Sequence, residues 1–265
     1  MANKYLARED APFGEDVWAA VDGAMIQAAR GQLVARRLLD LEGPYGLGLK
    51  TVPLRDRTLE SGLIASDSLP LVLIYEEFDL GTRDLANYEH LGITLDRTAV
   101  AEAAIAAAKR EEDLIFNGND ELGIEGLMTA DGANSVALSP WEEVGAAVED
   151  LIEAVTTLDN ADFHGPYALA LAPARFNKLF RRYERGNQTE MEHLKTLVTD
   201  GVYKAPILND GGVLLATGRQ YASIIVGQDM TVGFIGPEGD RVAFTISESL
   251  VPRIRRPNAI CVLTA

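Results

Sequence analysis

Apolar side chains in the N-terminal part of the chain follow one long helical pattern. From about residue 15 to residue 39 they recur every three to four residues, which is typical of an amphipathic helix. The pair Gly43-Pro44 follows, and glycine before proline is a common helix stop. The sequence therefore predicts one helix over 15–39 that ends just before this pair.

Two acids, Asp40 and Glu42, stand beside the predicted helix C-terminus. The helix dipole disfavours negative charge at that end, so other groups should compensate it. Arg36 and Arg37 lie one turn earlier and are the expected partners.

Two further stretches have helical spacing. One extends over about 97–116, with Asp96 placed as its N-cap. The other is predicted to begin at Ser139-Pro140-Trp141-Glu142, where the serine and the glutamate match a capping box, and to end near residue 158. Shorter helical segments follow Pro173 and cover about 190–198.

Extended segments dominate the C-terminal part of the chain. Gly165-Pro166 precedes a predicted strand over Tyr167–Leu171, and from residue 205 onward strands follow one another, separated by turns rich in glycine and proline. The predicted strands there cover 206–208, 213–217, 222–226, 230–234, 242–247 and 259–263. Helices in the middle and strands at the end indicate an α+β fold.

Residues 46–80 contain turn signals at Ser61-Gly62 and Ser66-Asp67-Ser68, and we expect little apolar content at the tip of this region. They predict a long two-armed hairpin that leads into a strand over about 71–80. An isolated hairpin is marginally stable in water, so an arm of this length needs a partner surface. The residues leave open whether that surface belongs to the same domain or to a neighbouring subunit.

The composition is that of a globular chain, with 47% apolar and 24% charged residues among 265. The net charge of −16 opposes nucleic-acid binding, which requires clustered Lys and Arg. The most apolar run, 69–75, is too short to span a membrane and contains a proline. Because the N-terminus has no signal-peptide pattern and the single cysteine is Cys261, we expect a cytoplasmic protein.

No concentrated set of catalytic or metal-binding residues stands out. His90, His164 and His193 lack metal-ligand spacing, so we expect surface or hydrogen-bonded histidines. Cys261 falls in an apolar strand, where a thiol is inert. We interpret Glu111-Glu112-Asp113 as a solvated helix face. The pattern favours a structural or binding protein and leaves open an enzyme that uses scattered acids.

Four blocks of the sequence resemble one known family. They are Asp40-Leu41-Glu42-Gly43-Pro44-Tyr45-Gly46, Phe116-Asn117-Gly118 with Gly123-Ile124-Glu125-Gly126-Leu127, Gly165-Pro166-Tyr167, and Val226-Gly227-Gln228-Asp229-Met230 with Val232-Gly233. Each block alone is weak, but the four stand in the family's order over essentially the whole chain. On these residues the chain resembles the encapsulins, the nanocompartment shell proteins of bacteria and archaea.

The resemblance implies the fold of tailed-phage major capsid proteins. By resemblance, the N-terminal helix of the peripheral domain lies in 1–45, the extended loop in 46–80, and the peripheral domain with its spine helix in 81–134. The axial domain follows in 135–222 and the last peripheral strands in 223–265. An extended loop of this family reaches a neighbour, which favours the inter-subunit alternative for the hairpin. The chain length resembles the members with the smallest icosahedral shell, which needs about sixty copies.

Family members enclose cargo enzymes whose C-terminal targeting peptide docks on the inner wall. Apolar side chains there would bind the peptide's aliphatic residues, and Arg36 and Asp40 would hydrogen-bond its polar groups. The alternative for the apolar positions is ordinary packing of a helix against a sheet. The positions that the resemblance assigns to docking are Ala29, Leu33, Arg36, Asp40 and Leu41, with Asp229, Met230, Thr231 and Val232.

The resemblance also concerns a pore and a cofactor. The loop Arg185, Gly186, Asn187, Gln188 and Thr189 is expected near the five-fold pore. Some encapsulins bind a flavin near a tryptophan after the extended loop. Residues 81–88 contain no tryptophan, and Tyr88 is the aromatic residue there. We therefore expect no flavin, no other cofactor and no metal.

The expected function is that of a non-enzymatic shell protomer, with neither nucleic acid nor membrane as partner. Its cargo is expected to be a ferritin-like protein or a dye-decolourising peroxidase, with a role in iron storage or oxidative stress. One alternative is a protease or secreted bacteriocin-like protein, after labels once given to relatives. The other is a phage capsid protein, because the fold is shared.

Overall fold

The first helix ends well before the position that the apolar pattern predicts. The computed structural model describes residues 4–183 and 186–265. Helix α1 (Glu15–Arg30) stops at Gly31, α2 (Ala35–Leu38) is a single turn, and Asp40–Glu42 forms strand β1. The prediction of one helix over 15–39 is therefore wrong. Glycine costs about 1 kcal/mol in a helix interior, which favours the end of α1 at Gly31. Strand β1 lies just beyond the predicted helix, where it pairs with a later strand.

The remaining elements follow in chain order. The helices are α3 (Thr82–Leu91), α4 (Thr98–Asn117), α5 (Ala146–Asn160), α6 (Pro173–Lys178) and α7 (Glu190–Leu197). The strands are β2 (Thr51–Thr58), β3 (Ile64–Pro70), β4 (Val72–Gly81), β5 (Asn134–Ala137), β6 (Tyr167–Leu171), β7 (Val202–Lys204), β8 (Gly212–Ala216), β9 (Ala222–Glu238), β10 (Arg241–Ile254) and β11 (Ile260–Thr264). Single turns of 3-10 helix cover Lys4–Leu6, Arg8–Asp10, Asp120–Leu122 and Pro257–Ala259.

Several predicted elements are confirmed. The helix over 97–116 is α4, and Asp96 Oδ1 accepts a hydrogen bond from the Thr98 backbone N–H at 2.9 Å. Strand β6 has its predicted bounds, and β2 pairs with β3 as an antiparallel hairpin. The segments 222–226 and 230–234 belong to one strand, β9. Residues 206–208 are not a strand, and α3 has no counterpart in the prediction.

The predicted helix start at Ser139 is wrong, since α5 begins at Ala146. The Asp150 carboxylate explains the difference because one of its oxygens collects the polar groups of this segment. It accepts the backbone N–H of Ser139 at 2.7 Å and the indole N–H of Trp141 at 2.7 Å. Trp141 is fully buried and has a positive φ of 54°, so the segment folds as a loop over α5 and not as its first turn.

The interpretation of Glu111-Glu112-Asp113 as a solvated face is wrong for its first two residues. Glu111 is 0% exposed and Glu112 is 2% exposed, whereas Asp113 is exposed. Helical spacing explains this result, because Glu112 lies four residues after the buried Ala108 and three before the buried Ile115.

The chain forms two compact units. Unit 1 comprises the described residues of Met1–Leu33, Gly43–Glu111 and Val226–Val251. Within it, β9, β10 and β4 are neighbouring strands. Its core contains an aromatic group around Phe244, which is 0% exposed and stacks on Phe78 with ring centroids 5.1 Å apart. Trp18 and Phe13 of the N-terminal segment pack against the same ring.

Unit 2 comprises Val34–Glu42, Glu112–Ile225 and Pro252–Ala265. Its five-stranded sheet has the order β5-β11-β8-β6-β7. The buried face of α5 packs into the same hydrophobic cluster as this sheet. Cys261 lies fully buried in that cluster, where burial and the nearby Glu153 carboxylate raise the pKa of its thiol to about 11. The expectation of an inert thiol agrees with this environment. The predicted domain boundaries of the family stay a prediction.

Truncating Phe244 to alanine should destabilise the protein by about 3–5 kcal/mol, because it leaves a cavity inside the aromatic group of unit 1. Chemical denaturation followed by tryptophan fluorescence measures the loss. The matched control is Ile235→Ala on β9, where the side chain is 47% exposed. We expect a change within about 0.5 kcal/mol there. Equal losses for the two variants would contradict this assignment of the core.

Candidate functional site

The segment from Val34 to Glu42 carries three of the residues that the resemblance assigns to cargo docking, and it lies in unit 2. It consists of the one-turn helix α2 followed by β1. Strand β1 runs parallel to the start of β9, with Asp40 opposite Ser223 and Glu42 opposite Ile225. Arg36 therefore lies in a helical turn and Asp40 in a strand, so the two residues do not share one continuous helix face.

Glu42 is buried at the end of this segment, with 9% of its surface exposed. Its Oε1 atom accepts hydrogen bonds from the Ser223 hydroxyl at 2.5 Å and from Arg255 Nη2 at 2.7 Å. Arg219 Nε lies 3.5 Å from Oε2. The predicted pairing of Glu42 with Arg36 or Arg37 is therefore wrong, because strand pairing brings more distant arginines to it.

These contacts determine the charge state of Glu42. Burial by itself raises the pKa of the carboxyl, but the hydrogen bonds from Ser223 and Arg255 and the positive charges of Arg255 and Arg219 act in the opposite direction. The net result is a pKa below the ordinary value of 4.5. Glu42 is thus an anion that is stabilised in the folded protein.

Glu112 on α4 lies at the other end of the same segment. Its Oε1 atom accepts the backbone N–H groups of Val34 and Ala35, each at 2.8 Å. The first N–H groups of a helix have no partner within the helix, and a carboxylate there also complements the helix dipole. The Val34 side chain caps nothing, so Glu112 supplies the N-terminal cap of α2 from a distant part of the chain.

A cleft of about 470 Å³ in unit 2 opens beside this segment. Five consecutive residues of the segment line it, namely Arg36, Arg37, Leu38, Leu39 and Asp40. The remaining lining residues are Pro166, Asp200, Thr217 and Gly218. The cleft presents both guanidinium and carboxylate groups, which suits hydrogen bonding to a polar peptide.

Three of the remaining lining residues are connected by hydrogen bonds within unit 2. The Thr217 hydroxyl donates to the Asp200 carboxylate, and the Thr217 backbone N–H donates to the Pro166 carbonyl at 2.9 Å. Asp200 is exposed. Sequence reasoning did not associate these three residues with the docking positions.

The other predicted docking residues lie in unit 1. Ala29 and Val232 are 4% and 0% exposed and belong to the hydrophobic core. Leu33 and Met230 are half-buried and pack against that same core. Among the predicted docking residues of unit 1, therefore, Leu33 and Met230 are the apolar ones that keep accessible surface.

Asp229 and Thr231 complete the predicted set on β9. The Asp229 carboxylate accepts the Met230 backbone N–H at 2.9 Å, and the Thr231 hydroxyl donates to the Asp229 carbonyl at 2.8 Å. Thr231 and Gln228 line a second cleft of about 580 Å³, whose other wall is the N-terminal segment from Lys4 to Asp10.

The predicted pore loop lies directly before α7. Thr189 forms a capping box with Glu192, which fixes the start of that helix. Gly186 and Asn187 are exposed, and Gln188 Oε1 lies 2.7 Å from His193 Nε2. Arg185 lies outside the described residues. The position of this loop in an assembly stays a prediction.

The histidines agree with the expectation of surface or hydrogen-bonded side chains. His90 and His164 are exposed, and His164 Nδ1 lies 3.1 Å from the Asp159 carboxylate. Over residues 4–183 and 186–265, no three side chains of the metal-binding types are grouped as a metal site would require. The helices in those residues are also too short or too polar for one of them to cross a membrane.

Comparison with known proteins identifies the family. A family model described as an encapsulating protein for peroxidase matches residues 3–251. The type 1 encapsulin shell protein EncA of Myxococcus xanthus (strain DK1622) is 34% identical over 275 residues, which cover 98% of this chain and 96% of the relative. This chain belongs to the encapsulin family.

Solved structures confirm the predicted fold class. The virus-like particle from Pyrococcus furiosus has a TM-score of 0.76 and 25% identity, and the match covers 93% of this encapsulin and 99% of that chain. The capsid of Myoviridae phage XM1 has a TM-score of 0.62 and 11% identity over 88% and 91% of the two chains. The phage likeness shows a shared fold alone, whereas the sequence matches are to encapsulin shell proteins. The α+β, phage major-capsid-like fold is thus confirmed, and the phage and protease alternatives are not favoured.

Replacing Glu42 by glutamine should lower the free energy of unfolding of this encapsulin by an amount that depends on pH. The pKa of the Glu42 carboxyl is lower in the folded state than its ordinary value of 4.5, which applies to the unfolded state. Such a carboxyl contributes its full stability at pH values above 4.5. The contribution is lost as the pH falls through the folded pKa. We expect a loss of about 1–2 kcal/mol at pH 7, because hydrogen bonds to a charged group are removed.

Thermal unfolding at several pH values measures this loss. The difference in Tm between wild type and Glu42→Gln should narrow as the pH falls below about 4. The exposed Glu60→Gln is the control and should show no difference at any pH. A Tm difference between wild type and Glu42→Gln that does not change with pH would contradict the ionised state of Glu42.

Proposed function

We propose that this encapsulin is the shell protomer of a closed icosahedral compartment of about sixty copies, which takes up cargo proteins by their C-terminal peptides. The match to a shell protein over 98% of the chain carries the proposal. The description of the family model, encapsulating protein for peroxidase, supports an enzyme as cargo. A dye-decolourising peroxidase or a ferritin-like protein fits a role in oxidative stress or iron storage. The chain itself acts as a non-enzymatic protein of the cytoplasm.

The β2–β3 hairpin supports assembly through a neighbouring copy. Along β2, Val52 is buried and the other side chains are exposed. At the tip, Leu63 and Ile64 are 65% and 70% exposed. Apolar side chains at the end of a two-stranded ribbon are costly in water, and the ribbon alone is marginally stable. We propose that a neighbouring subunit buries this tip.

The double variant Leu63→Asp, Ile64→Asp should therefore fail to form shells, because two charges would be buried without partners. Size-exclusion chromatography and negative-stain microscopy measure assembly, and circular dichroism checks that the protomer is folded. The control Glu60→Gln changes a charge at the same tip and should form full-sized shells. Full-sized shells from the double variant would contradict the role of the tip. A wild-type protein that elutes as a monomer would contradict the proposed function itself.

We propose that polar groups of the cargo peptide bind in the unit 2 cleft, at Arg36 and Asp40. The exposed carboxylate of Asp40 and the guanidinium of Arg36 line that cleft. Leu41 adds apolar surface, with 44% of it exposed. In unit 1 the accessible Leu33 and Met230 are the candidates for apolar contacts, with Ala29 and Val232 supporting them from the core and Asp229 and Thr231 beside them on β9.

Asp40→Lys should leave shells intact but largely empty, because it places a repelling charge in the cleft. The measurement is the molar ratio of cargo to shell protein, by quantitative mass spectrometry of shells purified from the native host. Asp131→Lys is the matched control, since it makes the same charge change at an exposed position of unit 2 outside the cleft. An unchanged cargo ratio in Asp40→Lys would refute this docking position.

We further propose that the compartment needs no flavin and no metal in its shell. Tyr88, the aromatic residue of the segment 81–88, is half-buried and packs against the core of unit 1. A ring used for core packing is poorly placed to stack on a flavin. The loop at Gly186, Asn187, Gln188 and Thr189 is proposed to border the five-fold pore.

A further inference from the structure

The docking segment Val34–Glu42 cannot be expected to hold its own conformation. Helix α2 is four residues long, and a helix of one turn is unstable in water without outside contacts. Strand β1 has three residues and lies at the end of its sheet. The shape of the segment must therefore depend on groups elsewhere in unit 2.

Two buried carboxylates supply these contacts, one at each end. Glu112 accepts the first two N–H groups, those of Val34 and Ala35, at 2.8 Å. Glu42 closes the segment through Arg255 Nη2 at 2.7 Å and the Ser223 hydroxyl at 2.5 Å. Arg255 in turn donates to the Ser223 hydroxyl at 2.7 Å, so the second anchor is a closed set of hydrogen bonds.

Arg36 and Asp40 lie between the two anchors and point to the same cleft. We propose that Glu112 and Glu42 are positioning residues for cargo capture, which hold the docking segment in the conformation that the cargo peptide binds. The inference rests on the proposed docking of cargo at Arg36 and Asp40. Neither carboxylate needs to touch the peptide.

The physical effect follows from the populations of the segment's conformations. When a binding-competent conformation is fully populated, the peptide meets a preformed site. If loss of an anchor reduces that population to about one tenth, the apparent Kd rises about tenfold although every contact residue is still present. The contacts of Glu112 and Glu42 with the docking segment therefore affect the affinity for the cargo peptide independently of the residues that touch the peptide.

The test uses shells that are purified without cargo, dissociated and then reassembled in the presence of a peptide probe, with three substitutions at position 112 or 42. The probe is a fluorescent synthetic peptide that copies the C-terminal twenty or so residues of the protein that copurifies with the wild-type shell. We expect Kd to rise in the order wild type, Glu112→Gln, Glu112→Ala, because glutamine keeps an acceptor oxygen for the Val34 and Ala35 N–H groups whereas alanine removes it. Glu42→Gln should raise Kd by about threefold to tenfold.

Hydrogen–deuterium exchange of the peptide-free shells supplies a second readout, which substitution of a residue that only contacts the peptide should not change. We expect faster exchange over residues 34–42 in the Glu112 and Glu42 variants, and unchanged exchange in Asp40→Lys, which should lose peptide through contact alone. In the wild-type shell the Val34 and Ala35 amides should be well protected. Rapid exchange of these amides in the wild type overturns the proposal even if no variant assembles.

Glu190→Gln is the matched control for general destabilisation. Glu190 is also a fully buried carboxylate of unit 2, and it accepts the Gly145 backbone N–H at 2.8 Å and Arg181 Nη2 at 3.0 Å. It makes the same kinds of contact without touching the docking segment. Weaker peptide binding in Glu190→Gln, equal to that in Glu112→Gln, would overturn the proposal. A wild-type shell that binds no peptide would instead contradict the proposed docking function.

Discussion

The ion pair between Glu42 and Arg255 determines how the N-terminal part of unit 2 is folded. Glu42 lies in β1, and Arg255 follows directly after β10, more than two hundred residues later in the chain. A buried carboxylate without such partners would be strongly unfavourable. Because Arg255 also binds the Ser223 hydroxyl and the Arg219 carbonyl, the start of β9 is held in the same set of contacts. The short strand β1 is stable because these groups, and not its own length, fix its place.

Local patterns predicted the elements whose stability is local. Helix α4 follows its apolar spacing and its aspartate cap, and β6 follows its run of buried apolar residues. The capping signal at Ser139 failed because a single acid, Asp150, competes for the same backbone N–H. The helix predicted over 15–39 failed because α1 ends at Gly31, and the chain returns to a helical conformation only for the single turn of α2. Strand β1 follows at Asp40–Glu42, and no periodicity within the segment reveals the distant strand with which it pairs.

The candidate site was predictable in part. The family resemblance assigned Arg36 and Asp40, and both line the unit 2 cleft. The cap that Glu112 supplies was missed because three successive acids were interpreted as a solvated face. The signal was present in the spacing, since Glu112 continues the stripe of Ala108 and Ile115 on α4. Its partners could not be predicted, because they lie far away in sequence and are backbone groups.

The burial of Cys261 has a practical consequence for handling the shell. It is the single cysteine of the chain, it has no exposed surface, and its thiol has a pKa of about 11. Maleimides and similar reagents react with the thiolate, which this environment suppresses. A cysteine introduced at an exposed position such as Asn187 would consequently be labelled alone, without first removing the native one. In a closed shell, each protomer would then carry one dye or one spin label at a chosen place.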